Sequence, residues 1–173
     1  MSSSEDDIRV RNKFDNPHHL VDRDNQNVRT KWEYVVQLEQ IPVVLECLRR
    51  SGQDESWVVF MFYTPIISEQ TSDNALNLQY SVLNGELGLD WVLLGDRNCC
   101  DEDKLTAFIE RQGYKVQQCE MNGVPFLRVS GNQAQLARLG RSIIDDFYRK
   151  SSDEVIGLLF DGFAMPALNS LSV

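Results

Sequence analysis

Two Asn-Gly pairs, Asn84-Gly85 and Asn122-Gly123, constrain this chain more than any other feature, because each stands between two stretches of strand-like residues. A two-residue turn of type I′ needs φ > 0 at both central positions. Asn tolerates that conformation and Gly adopts it freely, so each pair predicts an antiparallel hairpin. Before the first pair, Leu76, Leu78, Tyr80 and Val82 alternate with Asn77, Gln79 and Ser81; after it, Leu87, Leu89, Trp91 and Leu93 alternate with Glu86, Gly88 and Asp90. The first hairpin is expected over 75–94. Tyr114 to Met121 and Val124 to Ser130 flank the second pair. Pro125 has no backbone N–H to give a ladder, which predicts that 124–130 is an edge strand.

The remaining elements follow from period and punctuation. Trp57 to Tyr63 is uniformly apolar and rich in aromatic and β-branched residues, as in a central strand covered on both faces, and Thr64-Pro65 stops it. Ile41, Val44, Leu45 and Leu48 form an i, i+3, i+4, i+7 stripe with Pro42 in its first turn, predicting a helix over 40–51. Acidic residues at 101–103, the face Leu105, Phe108, Ile109 and Gln112, and Gly113 as a stop predict a second helix over 101–112. Ser130 and Gln133 have capping-box spacing ahead of Leu136, Leu139, Ile143 and Phe147, predicting the longest helix, which runs to Tyr148. Trp32, Tyr34, Val36 and Leu38 alternate as a strand would, while Trp32, Val35 and Val36 also suit a helix; 155–163 reads as a closing strand or a short helix, with the strand preferred. The fold class expected is α+β: an antiparallel sheet of about five to seven strands with helices packed on it, in the order (β)αβββαββα(β).

A chain of 173 residues is long enough for one domain. Residues 1–28, rich in Asp, Asn, Arg and Ser and lacking a sustained period, read as a flexible acidic and polar tail. Residues 29–165 read as a single α+β domain and 166–173 as a frayed terminus. No apolar run approaches the ~20 residues of a membrane helix, so no membrane is expected as a partner. The polar start, with no apolar stretch, predicts a cytoplasmic protein whose four cysteines stay reduced.

No constellation points to catalysis. The two histidines, His18 and His19, are adjacent and sit in the expected tail, which removes His-based nucleophile pairs from the core. Cys99-Cys100 precede the predicted 101–112 helix, where a helix terminus lowers a thiol pKa, but Asp96, Asp101, Glu102 and Asp103 oppose the thiolate. Cys47 and Cys119 read as core or strand-face residues. Asp22, Asp24, Gln26 and Glu33 match positions of a calcium loop, yet Asn27 stands where the sharp turn needs glycine. Gly95 to Asn98 reads as a capped connection between strand and helix. No phosphate-binding or hydrolase motif occurs, so no catalytic, cofactor-binding or metal-ligating residue is assigned and no cofactor is expected.

Charge is the clearest guide to partners. The chain carries 17 Lys plus Arg against 26 Asp plus Glu, a net of −9, which argues against nucleic acid, since phosphate affinity comes from Lys and Arg displacing counterions. Residues 113–150 hold six bases against three acids, leaving −12 elsewhere. Arg138, Arg141 and Arg149 face away from the apolar stripe, and Asp145 is four residues from both Arg141 and Arg149, so internal pairing is expected there. In element order, size and charge, residues 40–149 resemble the class I type III secretion chaperones and their wider chaperone-like fold group; an alternative reads 89–163 as a ferredoxin-like βαββαβ half. The resemblance implies a non-enzymatic, chaperone-like module that binds another protein. The acidity predicts that this partner has a basic surface. A homodimer stays open. The alternatives are an immunity-type antitoxin covering a basic toxin site, or an enzyme using carboxylates such as Asp90, Asp96 and Asp161.

If the first turn is placed correctly, Gly85→Val destabilises the fold by about 1–3 kcal/mol, because a β-branched residue resists φ > 0. Equilibrium urea unfolding measures this, and an unchanged midpoint would show that no such turn forms.

Overall fold

A computed structural model of the chain describes residues 32–62, 76–94, 96–150 and 156–165. The expected tail and terminus, His18-His19 and the Asp22, Asp24 and Gln26 positions lie outside the described residues. Seven strands form one antiparallel sheet: β1 (Trp32–Val36), β2 (Trp57–Phe62), β3 (Leu76–Leu83), β4 (Glu86–Val92), β5 (Gln117–Met121), β6 (Val124–Ser130) and β7 (Ile156–Asp161). Their order is β1-β7-β2-β3-β4-β6-β5, so the last strand of the chain lies between β1 and β2. Both stretches left open between strand and helix, 29–38 and 155–163, hold strands, and these two pair with each other. Among the described residues three helices, α1 (Ile41–Ser51), α2 (Asp96–Arg111) and α3 (Gln133–Ser142), complete the expected α+β order.

Both hairpins turn where the Asn-Gly pairs stand. Asn84 and Gly85 have φ of 53° and 76°, and Asn122 and Gly123 have 53° and 78°, the left-handed pair a type I′ turn requires. Helix α1 follows a 3-10 turn at Leu38–Gln40, carries Pro in its first turn and buries Ile41, Val44, Leu45 and Leu48. Its end is closed by Gly52 N–H donating to Leu48 O at 2.8 Å. On the sheet, Val58, Phe60 and Phe62 of β2, Leu78 and Tyr80 of β3, Leu89 and Trp91 of β4, Leu127 and Val129 of β6 and Leu158 of β7 face this layer and are buried. Each such Leu, Val or Phe contributes about 1.5–3 kcal/mol relative to exposure, so this face supplies the main drive to fold.

Several local expectations are corrected. Pro125 is not on an edge: β6 lies between β4 and β5, and β5 is the edge. Its missing N–H falls where β4 ends. Leu93 N–H still donates to Pro125 O at 2.9 Å, and the Cys99 thiol lies 3.7 Å from Leu93 O, the carbonyl that proline cannot serve. Helix α2 starts at Asp96 rather than 101, so Cys99 and Cys100 lie inside its first turns rather than ahead of it, and residues 96–98 are helix rather than connection. Asn98 Nδ2 holds this early start by donating to Val92 O at 2.7 Å.

The capping box is Asn132 with Gln135, not Ser130 with Gln133. Gln135 N–H donates to Asn132 Oδ1 at 2.9 Å and Asn132 N–H to Gln135 Oε1 at 3.2 Å, while Ser130 is still strand. The longest helix among the described residues is α2, with 16 residues; α3 has 10 and passes into a π-helical turn at Ile143–Phe147. Finally, β2 is covered on one face only: Trp57, Val59 and Met61 stay half-buried.

The helices lie together on the buried face. Tyr148 stacks on Trp91 with ring centroids 5.8 Å apart and donates its hydroxyl to Asp101 of α2 at 3.0 Å, which ties β4, α2 and the π turn into one unit. Burial pushes the Tyr148 hydroxyl's pKa upward, and Asp101 adds to the shift, so this hydroxyl remains a donor. Arg141 pairs with Asp145 at 2.5 Å, as the sequence spacing implied, and reaches Glu39 at 3.3 Å.

Helix α3 approaches β3 through Gly140, where an added Cβ would sit 1.9 Å from the Tyr80 hydroxyl. That hydroxyl is fully buried and donates to Leu136 O at 3.3 Å. Gly140→Ala is therefore expected to cost about 1–3 kcal/mol by overpacking. Adding Tyr80→Phe, which removes the clashing oxygen, should recover part of the loss. Thermal or urea unfolding of the single and double variants measures both effects, and a harmless Gly140→Ala would overturn this packing.

Candidate functional site

The sheet face turned away from the helices is the candidate site, and its centre is polar. On β3, β4 and β6 the register aligns Gln79 with Asp90 and Arg128, and Ser81 with Gly88 and Ser130. Alternation puts all these residues on the face opposite the Leu, Tyr and Trp side chains of the core. Arg128, Asp90 and Ser81 are nevertheless 5%, 3% and 5% exposed, so an ion pair is buried there.

Its geometry is closed. Arg128 Nη1 donates to Asp90 Oδ1 at 2.5 Å and to Ser81 Oγ at 3.0 Å, and Nη2 donates to Glu86 O at 2.7 Å and Ser81 O at 3.4 Å. The Ser81 hydroxyl donates in turn to Asp90 Oδ2. The guanidinium lies flat across Gly88, where an added Cβ would be 2.4 Å from its Cζ. Glycine inside a strand marks this kind of close approach. Burial pushes the Asp90 carboxyl above its usual pKa, opposed by the Arg128 charge and by hydrogen bonds from Ser81 and Arg128.

Around this centre the face is half-open, with one apolar hollow and one largely polar one. A hollow of about 270 Å3 lies over Ser81, Gln79 and Asp90, walled by Trp57, Leu83, Val92, Met121, Val124 and Phe126. A second hollow of about 350 Å3 adjoins it, sharing Glu55, Leu83, Met121 and Phe126, and its rim carries Asp54, Glu86 and Glu120. Asp54, Glu55, Glu86 and Glu120 are exposed. Among the described residues Arg128 is the one base lining either hollow, and its charge is matched by Asp90. The chemistry available is thus apolar contact plus negative potential. The network's donors are directed into the protein, at Asp90, Ser81 and the Glu86 carbonyl.

The carboxylates named from sequence do not converge. Asp161 stands on β7, three strands from Asp90 on β4, on the order of 14 Å at ~4.8 Å per strand. Asp96 opens α2 beyond the end of β4. Among the described residues, no group of three or more His, Cys, Asp or Glu is placed to hold a metal ion, and Glu33 of the calcium-loop match lies within β1. Cys119 is half-buried on the edge strand β5; Cys47 is half-buried in α1, with its thiol pKa pushed up chiefly by burial; Cys99 and Cys100 are exposed. Sequence reasoning names Asp90 only among the carboxylates Asp90, Asp96 and Asp161 of an alternative enzyme reading, and misses Arg128 and Ser81. The available signal was Gly88 in mid-strand, two residues from an acid and facing the arginine of the next hairpin.

Breaking a buried pair strands a charge, so Asp90→Ala and Arg128→Ala are each expected to cost about 3–5 kcal/mol. The double variant leaves no orphan charge and should cost well under the sum of the two. A double-mutant cycle in urea measures the coupling, and simple additivity would show that the pair does not stabilise the fold as a unit.

Comparison with known proteins found no matching family model, no matching curated protein and no matching solved structure, which leaves the open face as the guide to function.

Proposed function

We propose that this protein is a non-enzymatic, chaperone-like module that binds another protein, of basic surface, on the open face of its sheet. The observation that carries this reading is the one-sided burial of the sheet. Seven strands carry a layer of helices on one face, while the other presents half-buried Trp57, Val59, Met61, Leu83, Val92 and Leu159 around a rigid polar centre. Partly exposed apolar side chains set beside charged ones are a common feature of protein-interaction sites. A net charge of −9 favours encounter with a basic partner. Between β1 and β7 the order helix, three strands, helix, two strands, helix resembles that of the class I type III secretion chaperones, which favours the reading by analogy of fold, while β1 and β7, with β7 inside the sheet, depart from that pattern. No helix among the described residues is long and apolar enough to cross a membrane.

A photoreactive residue at Gln79, on the open face, tests this against one at Arg138, exposed on α3. The partner recovered from the native cell should cross-link from position 79 and not from 138. Its association rate should fall as salt rises from about 50 to 500 mM while dissociation changes less, because screening shortens the reach of exposed charge to less than ~8 Å. Cross-linking from position 138 alone, or from position 79 only within the same chain, would overturn the proposal.

A further inference from the structure

We infer that the open face recognises a short segment of its partner in which one large apolar side chain is flanked by Lys or Arg. This rests on the proposed function and adds to it a site and a recognition chemistry. Two features that are independent in sequence meet at Phe126 and Leu83. The first hollow, about 270 Å3, is walled by apolar side chains and lies just under the roughly 300–1,000 Å3 of small-molecule pockets, a size suited to one side chain of a larger partner. The second, which shares the wall formed by Leu83, Met121 and Phe126, opens among Asp54, Glu55, Glu86 and Glu120. An apolar anchor seated in the first hollow puts its chain neighbours beside those carboxylates, since residues adjacent in an extended segment are ~3.3 Å apart along the chain.

The buried centre explains why the potential there is negative. Arg128 would otherwise offset the rim, but its guanidinium is held 2.5 Å from Asp90 and the two charges cancel. Among the described residues, what reaches the surface there is the charge of the four exposed acids. The same rim disfavours a second copy of the chain as the occupant, because a two-fold interface places one patch against itself and would bring like charges together.

The test uses the full chain, labelled with 15N, and three synthetic peptides: Gly-Lys-Phe-Lys-Gly, its Glu-Phe-Glu counterpart and its Lys-Ala-Lys counterpart, all with blocked ends. Titration should shift the amide signals of Leu83 and Phe126 with the first peptide, at an affinity about tenfold above either control, or 1.4 kcal/mol. The variant Asp54→Asn, Glu86→Gln, Glu120→Gln changes exposed side chains without altering their shape. It should keep the parent's unfolding midpoint and lose that preference for Lys. Equal binding of the Glu peptide, shifts confined to other strands, or an unchanged preference in the triple variant would overturn the inference. A partner that cross-links from Gln79 while the peptides show no charge preference would remove this inference alone. A partner that cross-links only from Arg138, with the peptide still bound at Phe126, would remove the proposed function and keep the peptide site.

Discussion

A guanidinium lying flat on a glycine holds the middle of this sheet. Arg128 of β6 passes over Gly88 of β4 and reaches Ser81 of β3, so one side chain joins three strands, and Asp90 neutralises it within the same plane. A one-residue slip in either ladder would carry Asp90 or Ser81 to the opposite face and leave a buried cation without its acceptors. Apolar packing supplies most of the free energy of folding, but it tolerates many arrangements. The ion pair tolerates one. It thereby sets the floor on which the rest of the open face is arranged.

The helical layer makes the opposite contribution. Its contacts are broad and mostly apolar, concentrated on Tyr80, Trp91 and the leucines of β3, β4 and β7, with close approach allowed at Gly140. Among the described residues three helices share one side of the sheet, and on the other side outward residues such as Val59, Met61 and Leu159 are half-buried. Antiparallel sheets accept this asymmetry readily, since their hairpins need no crossover helix on the second face. A surface with two adjoining hollows, an apolar wall, a fixed polar centre and an acidic margin is the outcome, and β2, β3, β4, β5 and β6 contribute to it.

Much of the architecture was legible from local rules. Each hairpin followed from the φ requirement of its Asn-Gly turn, and α1 from a four-residue stripe with proline at its start. The misplacements share a cause, which is that a local signal was read without its tertiary partner. Pro125 looked like an edge residue because an absent N–H is costly inside a sheet; it is tolerated because β4 ends beside it and the Cys99 thiol lies near the Leu93 carbonyl. Local signals place the start of α2 five residues late because the anchoring bond, from Asn98 to Val92 O, comes from the fold. Trp57 to Tyr63 looked covered on both faces because hydrophobicity alone does not say how many layers a sheet has.

By itself, the sequence determined the α+β class, the two turns, the alternation that divides each strand into two faces, and the negative charge. These depend on backbone geometry and composition, and act over a few residues or over the whole chain without regard to contacts. The tertiary structure alone decided that β7 enters between β1 and β2, that the three described helices lie on one face, and that Ser81, Asp90 and Arg128 meet. Strand order and cross-strand partners depend on contacts between residues far apart in the chain, such as Arg128 with Asp90, 38 positions apart, and Ser56 with Gly162, 106 positions apart. No local period encodes such a pairing, because the energy that selects it exists only once the chain has closed upon itself.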